Sequence, residues 1–551
     1  MVRAETLGPI PKVVGDTGRM PPQSFGLRPI GRAPFRSRWA ALIAAVGGVV
    51  GVLAFPRPGV WPLALISVAL LSVAVDGRRS RTGAWLGFAY GLTFFGPLLH
   101  WTGVYVGAAP WLILAVAEAG FCAALGAVLP LVQRLRGAPV WVACAWVLEE
   151  ALRDRLPFGG FPWGRLAFSQ AESPLRWFAA LGGAPLVTFF VALGGGALAW
   201  AVLVVAPLRL RAASSWLALA VAVPLAGAGL VWVVGPASDS AGQTTTVALV
   251  QGSVPEIGLA FEQRARQVLD NHINETMRLL AEINAGRVQR PSLVIWPENS
   301  SDVDPFLDAS AYRDIDATVK AIGVPILVGA ILQGPGPDHR RNAGILWSPT
   351  TGPGAQYIKR HPVPFAEYIP LRGIAKLVSS DVNLVSQDMV GGRGDGVVRG
   401  GPYPIGDVIC FEVAYDGLVR SSVAAGAQAL VVQTNNATFG HTAETYQQLA
   451  MSQLRAVENG RAVLQVATTG KSAVIGPDGH IRQQSGALFT ADVLVGRIPL
   501  RTAQTLATRV GAIPEYVLAA LALVAIAASI RPLRRRLGHE AAERPKEMML
   551  T

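Results

Sequence analysis

Eight stretches of this chain are apolar over close to the length needed to cross a lipid bilayer, and nothing else limits its fold as much. A spanning helix needs roughly 20 mainly apolar residues. Inside the hydrocarbon no water satisfies backbone groups, so only helices and closed barrels cross it. The runs lie near residues 39–56, 59–76, 83–102, 109–133, 138–153, 176–206 and 215–235, with another near 512–530. The first two are short, and the fifth ends in Glu149 and Glu150. The pattern predicts a polytopic α-helical membrane bundle of about eight transmembrane helices. Seven belong to a membrane domain over 39–235, and the eighth returns at 512–530.

Charge supports the same reading. Only 15% of residues are charged and 51% are hydrophobic, against about 25% charged in an ordinary soluble protein. The net charge is +12, but the basic residues form no patch beside aromatics, which argues against nucleic acid as a partner. They sit in short clusters between apolar runs: Arg78, Arg79 and Arg81; Arg134 and Arg136; Arg209 and Arg211; Arg531, Arg534, Arg535 and Arg536. Cytoplasmic loops of membrane proteins carry such a bias. It predicts a disordered basic cytoplasmic tail over 1–38, a second basic tail over 531–551, and an extracytoplasmic segment over 236–511. The segment 154–175, with Arg153, Arg155 and Arg165, falls outside against the rule. Its stretch Leu156-Pro157-Phe158-Gly159-Gly160-Phe161-Pro162-Trp163 reads as an interfacial or re-entrant element, or as a connector with belt aromatics.

From Thr244 the texture changes. Short β-branched runs alternate with amphipathic helical stretches, which predicts a layered α/β domain over 244–500. Strands are expected at Thr245–Gln251, Leu293–Trp296, Pro325–Ile331, Ala343–Trp347, Gln356–Lys359, Ile405–Cys410, Ala429–Gln433, Ala462–Ala467, Ser472–Ile475 and Val493–Ile498. Helices fit 259–285, 311–322, 414–425 and 442–459. Strand pairs joined by short turns argue against a purely parallel sheet. No histidine or cysteine cluster has metal-ligand spacing. Gly470-Lys471-Ser472 lacks the first glycine of a phosphate loop, because position 465 is Gln465.

Three strand ends deliver chemistry. Val294-Ile295-Trp296-Pro297-Glu298 ends in a carboxylate, Tyr357-Ile358-Lys359 in an amine and Val408-Ile409-Cys410 in a thiol. Cys122 and Cys144 fall in apolar runs and read as packing residues; Cys410 is the lone thiol of the α/β part. A thiol is mostly protonated at neutral pH and needs a base or cation to become nucleophilic. Glu298 could take its proton, and Lys359 could stabilise an oxyanion. Each residue alone would read as packing or a solvated charge. Together, in these contexts, they predict a nucleophilic enzyme. Glu367 and Glu412 are further carboxylates nearby in sequence.

Here the chain resembles a family. Trp-Pro-Glu at 296–298, Lys-x-His-x-Val-Pro-Phe-x-Glu-Tyr-x-Pro at 359–370 and Ile-Cys-Phe-Glu at 409–412 look like signatures of the nitrilase, or carbon-nitrogen hydrolase, superfamily. The flanking membrane helices and Gly160-Phe161-Pro162-Trp163 narrow the match to the apolipoprotein N-acyltransferases, over about 39–530. The resemblance implies an αββα sandwich on eight membrane helices and a triad of Glu298, Lys359 and Cys410. It also implies supporting roles for Glu367, Glu412 and Asn435, and no cofactor or metal. Phe411 stands where many relatives have Tyr, and Thr438 where an aromatic is frequent.

The implied reaction moves a fatty acyl chain from a phospholipid to Cys410, then to the α-amine of a diacylglyceryl-cysteine at the start of an apolipoprotein. The implied place is a bacterial plasma membrane, multi-pass, with the catalytic domain outside. Some actinobacterial relatives act beside a polyprenol-phosphate mannose synthase, and the Arg-, Ala- and Gly-rich composition permits that partner. The rival is a membrane-tethered amidase or nitrilase hydrolysing a small amide. A non-enzymatic rival is a transporter or receptor with a degenerate hydrolase domain; charged groups deep in the spans would favour transport, and few stand out. Apolar loops open to the bilayer would favour acyl transfer, and a closed polar pocket hydrolysis; residues 365–377 and 379–400 are the candidate cover.

Overall fold

The computed structural model describes residues 35–205, 210–235, 243–254, 265–378, 382–383 and 385–547, with the backbone course alone for Val205, Val378 and 531–547. Most of the expected N-terminal tail, and the expected helical start at 259–264, lie outside these residues. The helices of the first half are α1 (Ser37–Val52), α2 (Leu63–Val75), α3 (Ser80–Leu98), α4 (Ala108–Val132), α5 (Ala138–Arg153), α6 (Ala179–Val205) and α7 (Leu210–Val234). Then follow β1 (Thr244–Gln251), α8 (Ala265–Asn284), β2 (Leu293–Ile295), α9 (Ala309–Ile322), β3 (Ile326–Gln333), β4 (His339–Ser348) and β5 (Gly352–Ile358). Next come α10 (Arg372–Val378), β6 (Asp388–Met389), β7 (Val397–Val398), β8 (Ile405–Ile409), α11 (Asp416–Ala424), β9 (Ala429–Thr434) and α12 (Glu444–Asn459). The chain ends with β10 (Val463–Ala467), β11 (Ala473–Ile475), β12 (Ile481–Gln484), β13 (Asp492–Pro499), α13 (Leu506–Val510) and α14 (Ile513–Glu547).

Every apolar run of the sequence becomes a helix. The segments Ala108–Val132, Pro174–Val204, Leu210–Val234 and Ile513–Ile530 are each long and apolar enough to cross a membrane, while α1 and α2 are shorter apolar helices. The last helix continues past residue 530 to Glu547. Small residues let helices meet closely, as in membrane interfaces generally. A Cβ on Gly83 or Gly87 of α3 would sit 2.1 Å from a backbone oxygen of α4, that of Gly126 or Cys122. Cys122 and Cys144 are buried, as packing residues should be.

The α/β part is a mixed two-sheet sandwich. One sheet runs β13-β1-β2-β3-β4-β5, with β6 beside β4; the other runs β12-β11-β10-β9-β8-β7. In the first, β1, β2 and β3 are parallel and β3, β4 and β5 form an antiparallel meander. In the second, β8, β9 and β10 are parallel. Alternation sends Val247, Leu249, Val431 and Leu464 between the sheets. Ala248 and Val250 face the other way, toward Leu269, Ile315 and Val319 of α8 and α9. Helices α11 and α12 cover the second sheet, completing the αββα order. The unforeseen strands β6, β7 and β12 are short, and Ile481-Arg482-Gln483-Gln484 has no apolar alternation to reveal it.

Helix α12 joins the two halves. Val408, Val432, Leu454 and Ile475 share one continuous apolar core with Leu98, Trp163, Phe168 and Phe178 of the first half. Charge crosses the same junction. Arg165 pairs with Glu150 (3.3 Å), Asp154 (3.2 Å) and Asp416 (3.0 Å). Asp416 pairs onward with Arg455 (2.6 Å), and Arg455 with Glu458 (2.5 Å). Helix α6 breaks at Gly182 and Gly183 to make room. Gly183 has φ +72°, and a Cβ there would lie 2.9 Å from Glu458 Oε1, so glycine is required twice over.

The bundle therefore holds more buried charge than the sequence suggested, and among the described residues Glu118, Glu149, Glu150, Arg153, Asp154 and Arg165 are all ion-paired. Arg153 meets Glu118 (3.4 Å) and Glu149 (3.2 Å), and donates to the carbonyls of Phe161 (2.9 Å) and Trp163 (2.7 Å). Buried pairs are costly to break, because removing one partner leaves an uncompensated charge, at about 3–5 kcal/mol. Arg153→Met is expected to lower the thermal midpoint of the purified protein in detergent by several degrees. Adding Glu118→Gln and Glu149→Gln should recover most of that loss, and a single variant as stable as wild type would contradict this account.

Candidate active site

The carboxyl ends of β2, β5 and β8 converge, as sequence spacing implied. Glu298 follows β2 and is 4% exposed; Lys359 follows β5 and is 2% exposed. Lys359 Nζ donates to Glu367 Oε1 at 2.8 Å and to Glu298 Oε1 at 3.3 Å. One cation thus sits between two carboxylates. Glu298 is fixed on both oxygens: Asn342 Nδ2 donates to Oε1 (2.7 Å) and the Asn435 backbone N–H to Oε2 (2.8 Å). Glu367 Oε2 accepts from the Val363 N–H at 2.7 Å, which folds the 363–367 loop back on itself.

Cys410 opens a 3-10 turn directly after β8, with φ +53°. That left-handed conformation is rare for a residue with a side chain and costs about 1–3 kcal/mol. It is held by Glu412, whose Oε2 accepts from the Ile409 N–H at 2.8 Å. Asn299, next to Glu298, and Phe365, between Lys359 and Glu367, also have positive φ. Strain therefore gathers around these strand ends.

The supporting residues divide by contact. Glu367 touches Lys359 directly. Glu412 touches neither Lys359 nor the thiol: it accepts from Tyr357 Oη (2.8 and 3.0 Å), Arg360 N (2.6 Å) and His361 N (3.0 Å). It ties the lysine-bearing strand to the thiol-bearing turn. Asn435 contributes its backbone N–H, while its side chain donates to Asn299 and accepts from the Ala437 N–H. Asn342, Thr434 and Gln448 were not foreseen. Asn342 lies within β4 and has no motif around it. Thr434 Oγ1 and Gln448 Nε2 approach Cys410 Sγ at 3.4 and 3.7 Å. Helix α12 is buried along nearly all its length yet rich in polar residues, and that burial is what marks Gln448.

Burial sets the electrostatics. It raises the Glu298 carboxyl above the ordinary range, with Lys359 opposing and Glu367 reinforcing. Burial alone would lower the Lys359 ammonium, but Glu367 and Glu298 hold it above its usual value. The Cys410 thiol is pushed well up by burial and by Glu298, with Lys359 opposing. The resting arrangement is a neutral thiol beside a raised carboxylate and a permanent cation. It can deprotonate a nucleophile and stabilise an oxyanion, and among the described residues no His, Cys, Asp or Glu cluster fits a metal.

Aromatic side chains from the first half pack against the turn that carries the thiol, at Phe411. Phe411 stacks on Trp163 (5.6 Å between centroids, 7° between planes) and on Phe161 (5.4 Å). Trp101 meets Trp163 and Phe439. Tyr415 Oη donates to the Gly160 carbonyl at 3.0 Å, and Phe158 packs on Phe365. The 156–163 segment thus lies against the thiol-bearing turn, with Phe158 exposed and Trp163 buried. Phe439 supplies an aromatic ring beside the position where Thr438 departs from the family pattern.

Comparison with known proteins agrees with this architecture. A family model described as the apolipoprotein N-acyltransferase N-terminal domain matches residues 47–197, and one described as carbon-nitrogen hydrolase matches 246–508. An apolipoprotein N-acyltransferase from Mycolicibacterium smegmatis is 42% identical over 525 residues, covering 91% of this chain and 88% of that protein. One from Pseudomonas putida is 31% identical over 479 residues, covering 83% and 90%. Among solved structures, an amidase from Nesterenkonia sp. is similar at 20% identity and a TM-score of 0.33, covering 46% of this chain and 90% of its own. By its two matched domains and its relatives of near-equal length, the chain belongs to the apolipoprotein N-acyltransferase family.

Proposed function

We propose that Cys410, Glu298 and Lys359 carry out, in two steps, the lipoprotein N-acylation that defines the family. In the first, Glu298 takes the thiol proton and the sulfur attacks the acyl ester of a phospholipid. Lys359 stabilises the oxyanion, the ester C–O bond breaks, and Glu298 returns the proton to the leaving lysophospholipid hydroxyl. In the second, the α-amine of a diacylglyceryl-cysteine attacks the thioester. The thiolate leaves, and the amine's surplus proton passes through Glu298 back to the sulfur. Glu367 holds Lys359 in place, Glu412 fixes the turn, and the Asn435 N–H orients Glu298.

The observation that carries this reading is the buried Glu298–Lys359–Glu367 cluster beside a lone strained cysteine. The choice of acyl transfer over amide hydrolysis rests on the rim. Phe158, Phe365, Leu371, Ile374 and Leu377 are all exposed apolar side chains, which suits a lipid-anchored substrate better than a water-soluble amide. Part of the candidate cover, 379–381 and 384, lies outside the described residues. The further readings are a multi-pass plasma-membrane protein of eight spans with the sandwich outside. The N-terminal boundary at 38 and the partner mannose synthase belong with them, the latter testable by co-purification.

Orientation has a direct test. A membrane-impermeant amine label applied to spheroplasts should modify lysines within 245–500 and spare the 531–551 tail; the reverse pattern would sink the proposed access.

Glu298→Gln should keep the fold and lose turnover, and Lys359→Ala likewise, by on the order of 10²–10³ for one lost electrostatic contact. Because burial raises Glu298, the acid limb of kcat/KM in the native enzyme should lie above the ordinary carboxylate range. Activity falls as pH drops through that limb and protonates the base. Near-normal turnover in folded Glu298→Gln would mean another base.

The intermediate should be isolable. A ping-pong transfer stores the acyl group when the acceptor is missing. Enzyme incubated with phospholipid alone should gain one acyl mass on the Cys410 peptide, removable by neutral hydroxylamine and discharged by a diacylglyceryl-cysteine peptide. Cys410→Ser should not turn over. No adduct, with amine acylation still normal, would move the nucleophile elsewhere.

A further inference from the structure

The sulfur of Cys410 lies under the electrostatic influence of Glu298 and Lys359. It is also met by two fully buried donors on neighbouring elements, Thr434 at the end of β9 and Gln448 on α12. The Gln448 amide is oriented by a chain of partners. Asn436 Nδ2 donates both to Glu444 Oε2 (2.7 Å) and to Gln448 Oε1 (3.1 Å). A donor therefore faces the Gln448 oxygen and leaves its N–H₂ toward the sulfur. Thr434 Oγ1 lies 3.0 Å from Gln448 Oε1 and 3.4 Å from Sγ, but a hydroxyl carries one proton.

We propose that Thr434 and Gln448 are a two-donor cradle for the sulfur, the Thr434 proton swinging between Sγ and Gln448 Oε1 as the sulfur gains and loses charge. This rests on Cys410 being the nucleophile. When Glu298 removes the S–H proton, the thiolate is the stronger acceptor, and Thr434 turns to it beside the Gln448 N–H. When the S–C bond of the thioester forms, the sulfur becomes a poor acceptor, and Thr434 returns to Gln448. Gln448 Oε1 keeps its Asn436 bond throughout, so neither position strands a buried polar atom. Expulsion of the thiolate in the second step uses the same donors. The titratable groups that act on the sulfur are Glu298, Lys359 and Glu444 of α12; none of them supplies this swinging proton.

The test is the pH profile of Cys410 alkylation by iodoacetamide, followed by peptide mapping on the full-length enzyme in detergent. Thr434→Val keeps the shape and removes the hydroxyl. It should slow alkylation at neutral pH by about 10–100-fold, the loss expected for one hydrogen bond to a charge, and shift the profile to higher pH. Thr434→Ser should restore both. Gln448→Leu should move the profile the same way, by less, since its donor is farther. A purely structural role would lower the thermal midpoint and leave the profile in place. Wild-type rate and midpoint in Thr434→Val overturn the proposal. If that variant does not fold, a wild-type profile in Gln448→Leu overturns it instead. Failure of the parent reading looks different: Cys410→Ala would then still transfer acyl groups.

Discussion

Charge that cannot reach water must be paired where it stands, and that constraint ties this protein together. Arg165 leaves the first half of the chain and meets Asp416 of the sandwich; Asp416 meets Arg455; Arg455 meets Glu458. Arg455 also donates to the carbonyls of Val413 and Ala414 at 2.8 Å each. Those carbonyls belong to the turn that begins with Cys410. The turn of Cys410 is thus held by an arginine whose counter-charges reach back to α5. An ion pair in this setting adds little net stability against a well-packed apolar alternative. What it supplies here is register, because only one placement of the sandwich on the bundle satisfies every member.

The same rule operates at the site on a smaller scale. Lys359 faces two carboxylates, so the cluster carries one surplus negative charge in a buried place. That surplus reinforces burial in raising Glu298, and burial, with Glu298 adding to it, pushes the thiol of Cys410 well up. A neutral thiol is a sensible resting state for a lone cysteine, since the thiolate is the reactive form. Lys359, held above its usual value by Glu367 and Glu298, offers a charge already in position for an oxyanion.

Much of this was legible in the sequence because the signals are local. A carboxylate, an amine and a thiol each directly follow an apolar strand, so short motifs mark them. The helices were legible because hydrocarbon demands long apolar runs. Asn342, Thr434 and Gln448 were not, because their roles come from pairing across elements far apart in the chain. Glu412 was visible as a residue but not as a brace, since its partners Tyr357, Arg360 and His361 lie about fifty positions away. The arginines that broke the charge rule have a physical explanation. Arg153 and Arg165 are buried against acids, and Arg155 pairs with Glu515 at 2.5 Å. A counted positive charge that is already neutralised carries little weight in a rule built on free ones.

Phe411 shows how a departure from the family pattern can be absorbed. A tyrosine there would bring a hydroxyl that needs a partner in a half that offers mostly aromatic faces. The phenyl ring instead lies flat on Trp163, whose Nε1–H donates to Gln447 Oε1 at 2.6 Å. Gln447 in turn donates to the Leu98 carbonyl at 3.3 Å, and its neighbour on α12 is Gln448, beside the sulfur. Stacking and hydrogen bonds therefore run from α3 through Trp163 and Gln447 to the helix that flanks Cys410. A ring without a hydroxyl leaves that path intact and adds no polar group beside the thiol. The Phe411 ring thus presents the turn's aromatic side to the first half, while the sulfur of Cys410 itself is met by Thr434 and Gln448 and lies under the influence of Glu298 and Lys359.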